Sequence, residues 1–76
     1  MLFRSSRARD VVAIEIKAGK QVTAADTRGL LSLAGLMGQR RPLAMWVAFR
    51  GERAQRFGSG VEALPVLEAL RRLAAD

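Results

Sequence analysis

The alternation of apolar and polar residues predicts a first strand over residues 11–17. Side chains of a strand point alternately to its two faces, so each face can be read separately. One face ends in Glu15 and Lys17, two charged residues after small apolar ones. The other face is expected to lie in the core and consists of Val12, Ile14 and Ile16.

A helix is predicted over residues 24–37, with Thr23 as its N-cap. Asp26 stands three residues later, where a capping-box partner is expected. Apolar residues then recur at the spacing of one helix face. The predicted inner stripe consists of Thr27, Leu30, Leu31, Ala34 and Met37.

The second half of the chain predicts three strands and a closing helix. Residues 43–49 are apolar on both faces, which is typical of a buried central strand. Gly51 is expected in a tight hairpin turn, followed by short strands over 54–57 and 61–64. Pro65 is placed to open the last helix, since its missing N–H costs nothing there. The predicted inner face of that helix consists of Val66, Leu67, Leu70, Leu73 and Ala74.

Together these elements predict an α/β fold with a small mixed sheet of about four strands and two packed helices. The predicted order is β-α-β-β-β-α, and the whole chain, residues 1–76, forms a single domain. The first helix would connect two parallel strands. Residues 1–10 are polar and basic without a clear period, which leaves either a basic arm or an edge strand.

Composition narrows the classes of function. The 76 residues include no Cys and no His, so any catalysis would rest on carboxylates, Lys, Arg, Ser or Thr. The net charge of +6 fits two interpretations: DNA or another polyanion as partner, or arginines that simply cover a solvated surface. No apolar stretch is long enough to cross a membrane. We therefore expect a soluble cytoplasmic protein with no membrane partner.

The charged pair on the first strand carries the candidate chemistry. Glu15 and Lys17 are about 6.6 Å apart along one strand face, at about 3.3 Å per residue. A carboxylate at this position is a ligand for Mg²⁺, and the backbone carbonyl of Ile16 would add a second oxygen. Lys17 could then position the attacking water or stabilise charge on a phosphate. Such a pair is common by chance, and its plain alternative is a solvated edge or a local ion pair.

Five segments around this pair carry a likeness to a known family: residues 13–18, 26–30, 50–52, 57–58 and 63–66. With the capped helix between two apolar strands, they resemble the PD-(D/E)XK nuclease superfamily, which has a restriction-endonuclease-like fold. Within that superfamily the chain looks like the C-terminal domain of unknown function in bacterial AAA-type ATPases. The resemblance covers about residues 11–73. It implies a nuclease-like domain associated with an ATPase, with Glu15 as metal ligand and Lys17 as catalytic lysine.

The chain departs from the family pattern in its second acid. The family usually has an Asp on a strand that precedes the Glu-x-Lys strand, with a hairpin between them. Here Asp10 is the only acid upstream of Glu15. Their odd separation turns Asp10 to the opposite face of a continuous strand, so Asp10 becomes a metal ligand only if a bulge or turn near Arg9 intervenes.

Three hypotheses follow from this departure, and they leave open whether the chain is an enzyme. The first is a truncated or degenerate nuclease-like domain that binds DNA or a partner ATPase chain without catalysis. The second is a Mg²⁺-dependent DNA endonuclease that completes Glu15 and Lys17 with Asp10 or with an acid from a second subunit. The third is a structural module that packs against an ATPase. A sheet this small also favours a partner or a homodimer that covers an exposed face or edge.

Overall fold

A computed structural model describes residues 2–4, 11–38, 42 and 44–75 of the chain. Five strands form one mixed sheet in the order β1-β2-β3-β5-β4, with two helices. The predicted α/β class, the two helices and their order along the chain are confirmed. The elements are β1 (Leu2–Arg4), β2 (Val11–Ile16), a 3₁₀ turn (Ala24–Thr27), α1 (Arg28–Met37), β3 (Ala44–Phe49), β4 (Gln55–Arg56), β5 (Glu62–Pro65) and α2 (Val66–Ala75).

The centre of the sheet is parallel and its two edges are antiparallel. β2 and β3 run parallel through the connection that contains α1, as predicted, and β3 also pairs in parallel with β5. β1 pairs antiparallel with β2, so the N-terminal segment contributes an edge strand, one of the two alternatives left open by the sequence. β4 pairs antiparallel with β5 at the other edge.

The predicted hairpin at Gly51 is wrong. β5 occupies the edge of β3, with Trp46 opposite Glu62, so β4 pairs with β5 and not with β3. The tight turn lies between β4 and β5, where Phe57 and Val61 are joined by a 2.9 Å backbone hydrogen bond. Gly60 in this turn has φ 95°, a conformation that favours glycine.

One helix covers each face of the sheet, and a separate core cluster lies beneath each helix. The α1 face buries Leu30 of the helix against Ala13, Val47 and Phe49 of the strands. The α2 face buries Ala69 against the strands, with Leu73 partly buried beside it. The sheet residues of the α2 face are Val12, Ile14, Trp46, Ala48 and Leu64.

The inner face predicted for α2 is largely wrong. Val66, Leu67 and Leu70 are exposed, at 39%, 68% and 55%. The helix instead meets the sheet through Ala69, a small residue that permits close approach, and through the half-buried Leu73. Its N-terminal boundary also differs from the prediction by one residue, since Pro65 ends β5 and α2 begins at Val66.

Ile16, which the alternation of β2 placed in the core, is 64% exposed. It lies at the last position of its strand, and the core cluster beneath α2 includes Val12 and Ile14 but not Ile16. The apolar stripe predicted for the first helix is confirmed at three of its five positions. Thr27, Leu30 and Ala34 are buried there. No described helix is long and apolar enough to cross a membrane.

Candidate functional site

Glu15 and Lys17 lie at the carboxyl end of β2, on the side of the sheet that carries α1. Alternation along the strand places both on the face of Ala13, which packs in the core cluster of Leu30. The ladder with β3 continues one residue beyond β2, because the Lys17 N–H donates to the Ala48 carbonyl at 2.8 Å. The two predicted catalytic residues are therefore held by a central, paired strand.

The partner of Lys17 is Asp26. Its Nζ lies 2.5 Å from the Asp26 Oδ2, and the two side chains are 32% and 27% exposed. The same oxygen accepts a hydrogen bond from the Thr23 N–H at 2.7 Å and one from the Thr23 hydroxyl at 3.2 Å. Lys17 therefore links β2 to the start of the helical segment and does not form a salt bridge with Glu15.

The pKa of Asp26 is lowered from its ordinary value by these contacts. The main cause is the hydrogen bond from Lys17, followed by the backbone hydrogen bond from Thr23. Both contacts favour the charged carboxylate. Asp26 was predicted only as a capping partner, and its contact with Lys17 was missed. The available signal was a lone acid in the first turn of a helix that follows a strand ending in lysine.

Glu15 is exposed and forms no ion pair with another described residue. The backbone carbonyl of Ile16 lies on the edge of β2 that faces away from β3. Since the Lys17 N–H points toward β3, the polar groups of Ile16 point toward β1. The described part of β1 reaches only as far as the partner of Ala13. The carbonyl of Ile16 thus has no ladder partner among the described strands, which leaves its oxygen available to a metal.

The second acid of the predicted metal site is not found among the described residues. Asp10 lies outside them. β1, which precedes β2 and pairs with it, contains only Leu, Phe and Arg. No group of three or more His, Cys, Asp or Glu residues that could hold a metal occurs in the described stretches. The Mg²⁺ site at Glu15 and Ile16 therefore stays a prediction with two protein oxygens.

A second feature near this edge was not predicted. An open groove of about 610 Å³ lies between the loop after β2 and the loop after β3. Lys20, Arg50 and Arg53 contribute positive charge to it, and Glu52 contributes one negative charge. The arginines are scattered along the sequence, so no run of charged residues predicted this cluster. The remaining lining residues are Gln21, Val22, Thr23, Phe49, Gly51 and Gln55.

Comparisons with known proteins found no match to this chain among family models, curated sequences or solved structures. The resemblance to PD-(D/E)XK nucleases therefore rests on the residues quoted for it.

Proposed function

We propose that this chain is a nuclease-like domain that binds DNA without cutting it. The observation that carries the proposal is the short ion pair between Lys17 and Asp26. In the mechanism expected for a Glu-x-Lys site, the lysine must contact the attacking water or the phosphate. Here the ammonium of Lys17 already forms an ion pair with the carboxylate of Asp26.

Releasing Lys17 for catalysis would disturb the start of the helical segment. Asp26 takes up the ammonium while it also accepts the Thr23 N–H. A half-buried carboxylate that loses its cation keeps its charge without its main partner, which is unfavourable. The contact thus supports a structural role for Lys17, in which it fixes the connection between β2 and α1.

DNA is the partner that the charge of the chain favours. The net charge is +6, with 13 Lys and Arg against 7 Asp and Glu. Binding to phosphates releases counterions, so affinity is expected to fall steeply as salt increases. Fluorescence anisotropy with a labelled duplex at several salt concentrations measures this slope. Binding that does not depend on salt, or no binding at low salt, would refute DNA as the partner.

A nicking assay separates binding from cleavage. Supercoiled plasmid is incubated with the chain and Mg²⁺, and with the variants Glu15→Ala and Lys17→Met. The proposal expects no nicking above background by any of the three proteins. Nicking by the wild type that Glu15→Ala abolishes would replace the proposal with the alternative of a Mg²⁺-dependent endonuclease.

That alternative is favoured by one observation, the exposure of Glu15 on the same strand face as Lys17. It still requires an acid from Asp10 or from a second subunit. An Asp10→Asn variant tests the first source, because it removes nicking only if Asp10 completes the site. Mixing inactive Glu15→Ala with inactive Asp10→Asn tests the second, because restored nicking requires acids from two chains.

The third candidate, a module that packs against an ATPase chain, is favoured by the exposed Val66, Leu67 and Leu70 of α2. Polar substitutions at Leu67 and Leu70 would abolish such packing and leave DNA binding intact. An ATPase chain that co-purifies with the wild type and not with the double variant would support this candidate. DNA binding lost in the same variant would argue against a separate packing surface.

A further inference from the structure

The groove between the loops after β2 and β3 has the position and size of a ligand site. In open α/β sheets, ligands bind in crevices outside the carboxyl ends of the parallel strands. The loops that form this groove follow β2 and β3, which are parallel. Its volume of about 610 Å³ lies within the range of small-molecule sites, about 300–1,000 Å³.

The walls of the groove are held by backbone and ring contacts. The Arg50 N–H donates to the Gly19 carbonyl at 3.1 Å, which joins the two loops. Gly51 crosses directly over the ring of Phe49, so that a Cβ at position 51 would lie 2.1 Å from the Phe49 Cε2. Phe49 itself is 5% exposed and belongs to the core. These two contacts position the start of the loop that carries Arg50 and Arg53.

The three cations of the groove have no ion-pair partner among the described residues, a property that Arg28 and Arg71 share outside it, and they are distinguished by lining one open space. Lys17, Arg56 and Arg72 each form an ion pair with a carboxylate. No ion pair between described residues includes Lys20, Arg50 or Arg53.

Three exposed cations thus surround one open space, with Glu52 as the acid in the lining. Placing like charges together is unfavourable without a counter-anion. Guanidinium groups suit phosphate oxygens because they donate two parallel hydrogen bonds.

We infer that this groove binds phosphate groups through Lys20, Arg50 and Arg53. The phosphate belongs either to a nucleic-acid backbone or to a free nucleotide. For the first source the inference rests on the proposed DNA binding and locates it in the molecule. For the second source it is independent of that proposal. Phe49 and Val22 add an apolar wall beside the cations.

The test compares two double variants that remove the same charge. Arg50→Ala with Arg53→Ala empties the groove of two cations. Arg28→Ala with Arg71→Ala removes two exposed arginines that do not line it and form no ion pair with a described residue. Each protein is titrated with pyrophosphate, a nucleoside 5′-monophosphate and a short duplex oligonucleotide, and amide shifts are followed by NMR. Dispersed amide spectra establish that each variant is folded.

The Arg50→Ala and Arg53→Ala double variant (the groove double) is expected to bind the probes at least about tenfold more weakly than the wild type, because charged hydrogen bonds are removed. The control double is expected to lose less than about threefold, because its charges act only at a distance. Shifts of the wild type should centre on Lys20, Arg50 and Gly51. Equal losses in the two doubles, or no binding of any probe, would overturn the groove as a phosphate site.

The probes also separate this inference from the proposed function. If both doubles bind the oligonucleotide equally well, DNA binding stands and the groove is refuted as its site. If they also bind pyrophosphate and the nucleotide equally well, the groove is refuted as a phosphate site altogether. If pyrophosphate and the nucleotide bind through the groove and the oligonucleotide does not bind, DNA binding is refuted and the free nucleotide is the source. Gly51→Ala provides a variant of unchanged charge. It should lower the affinity for every ligand of the groove, because the loop must move away from Phe49.

Discussion

The two faces of the sheet are covered in different ways. α1 inserts Leu30 and Ala34 into its core, at 1% and 2% exposure, and its approach is fixed by the ion pair of Lys17 with Asp26. α2 buries only Ala69 completely and leaves Leu67 and Leu70 exposed. α1 is thus held by a fully buried leucine, although its Leu36 is 86% exposed, whereas the only fully buried side chain of α2 is the small one of Ala69.

Charged residues join α2 to the sheet. Arg72 lies 3.4 Å from the carboxylate of Glu62 on β5 and 3.2 Å from that of Glu68 one turn earlier. Its guanidinium also lies 5.8 Å from the ring centroid of Trp46. These contacts lie on the side of α2 beside the sheet, while Leu67 and Leu70 are exposed. The comparison indicates that α1 packs more deeply than α2, and that α2 exposes three large apolar side chains where α1 exposes one.

Truncation of one leucine on each helix tests this comparison most strongly. Leu30→Ala should lower the free energy of unfolding by about 2–5 kcal/mol, because it removes a fully buried side chain. Leu70→Ala should cost less than about 1 kcal/mol, because more than half of that side chain is already in water. Chemical denaturation of both variants gives the two values.

Similar costs at the two positions would contradict the comparison for an isolated chain. Leu70 would then have to be covered by something, and a homodimer is the first candidate. Sizing at several protein concentrations would show it, because the apparent mass of a dimer falls on dilution. A Leu67→Gln and Leu70→Gln double variant should then remain monomeric at every concentration.

The sequence predicted the α1 face better than the α2 face, and the reason lies in what determines each. Leu30 and Ala34 follow a helical period, and the alternation of β2 follows from strand geometry, so local patterns suffice. In α2 the same period groups Leu70 with Leu73. Leu73 is partly buried and Leu70 is exposed, and the contact of Arg72 with Glu62, ten residues away, is not visible in this period.

The candidate site shows the same limit. Alternation along β2 is enough to place Glu15 and Lys17 on one face. The contact of Lys17 with Asp26, nine residues later, depends on the path of the intervening loop. The strand partner of β4 likewise depends on β5 taking the edge of β3, which the turn signal at Gly51 does not reveal.

A smaller effect is expected at Gly51, on the α1 face. Gly51→Ala should lower the free energy of unfolding by about 1–3 kcal/mol, because the new methyl group collides with the Phe49 ring. Gly58→Ala is the matched control, since a Cβ there meets nothing within 4 Å. It should be neutral or stabilise by up to about 1 kcal/mol. Equal effects would mean that the loop does not rest on the ring.

The Lys17–Asp26 pair should make stability depend on pH in the acid range. The folded-state pKa of Asp26 lies below its ordinary value because Lys17 and Thr23 bond the charged form. Its contribution is therefore complete above the unfolded pKa, about 4, and is lost as pH falls through the folded pKa.

Asp26→Asn should be less stable than the wild type at neutral pH, and the difference should shrink below about pH 4. Thermal unfolding across this range measures it. Glu15→Gln serves as control, since Glu15 forms no ion pair with a described residue. A Glu15→Gln curve that departs from the wild type as much as the Asp26→Asn curve does would contradict the assignment of Lys17 to Asp26.

The smallest expected effect concerns the two arginines that share Glu62. Arg72 is 38% exposed, contacts two carboxylates and covers Trp46, so Arg72→Ala should cost about 1 kcal/mol. Arg56 is 76% exposed and lies 3.8 Å from Glu62, so Arg56→Ala should cost less than about 0.5 kcal/mol. Denaturation of both variants with and without added salt separates the contribution of the ion pairs from that of the contact between Arg72 and the Trp46 ring. Salt should weaken the ion pairs of Arg72 and leave its contact with the ring, so part of its effect must survive at high salt. If none survives, the contact with the ring does not stabilise the packing of α2 on the sheet.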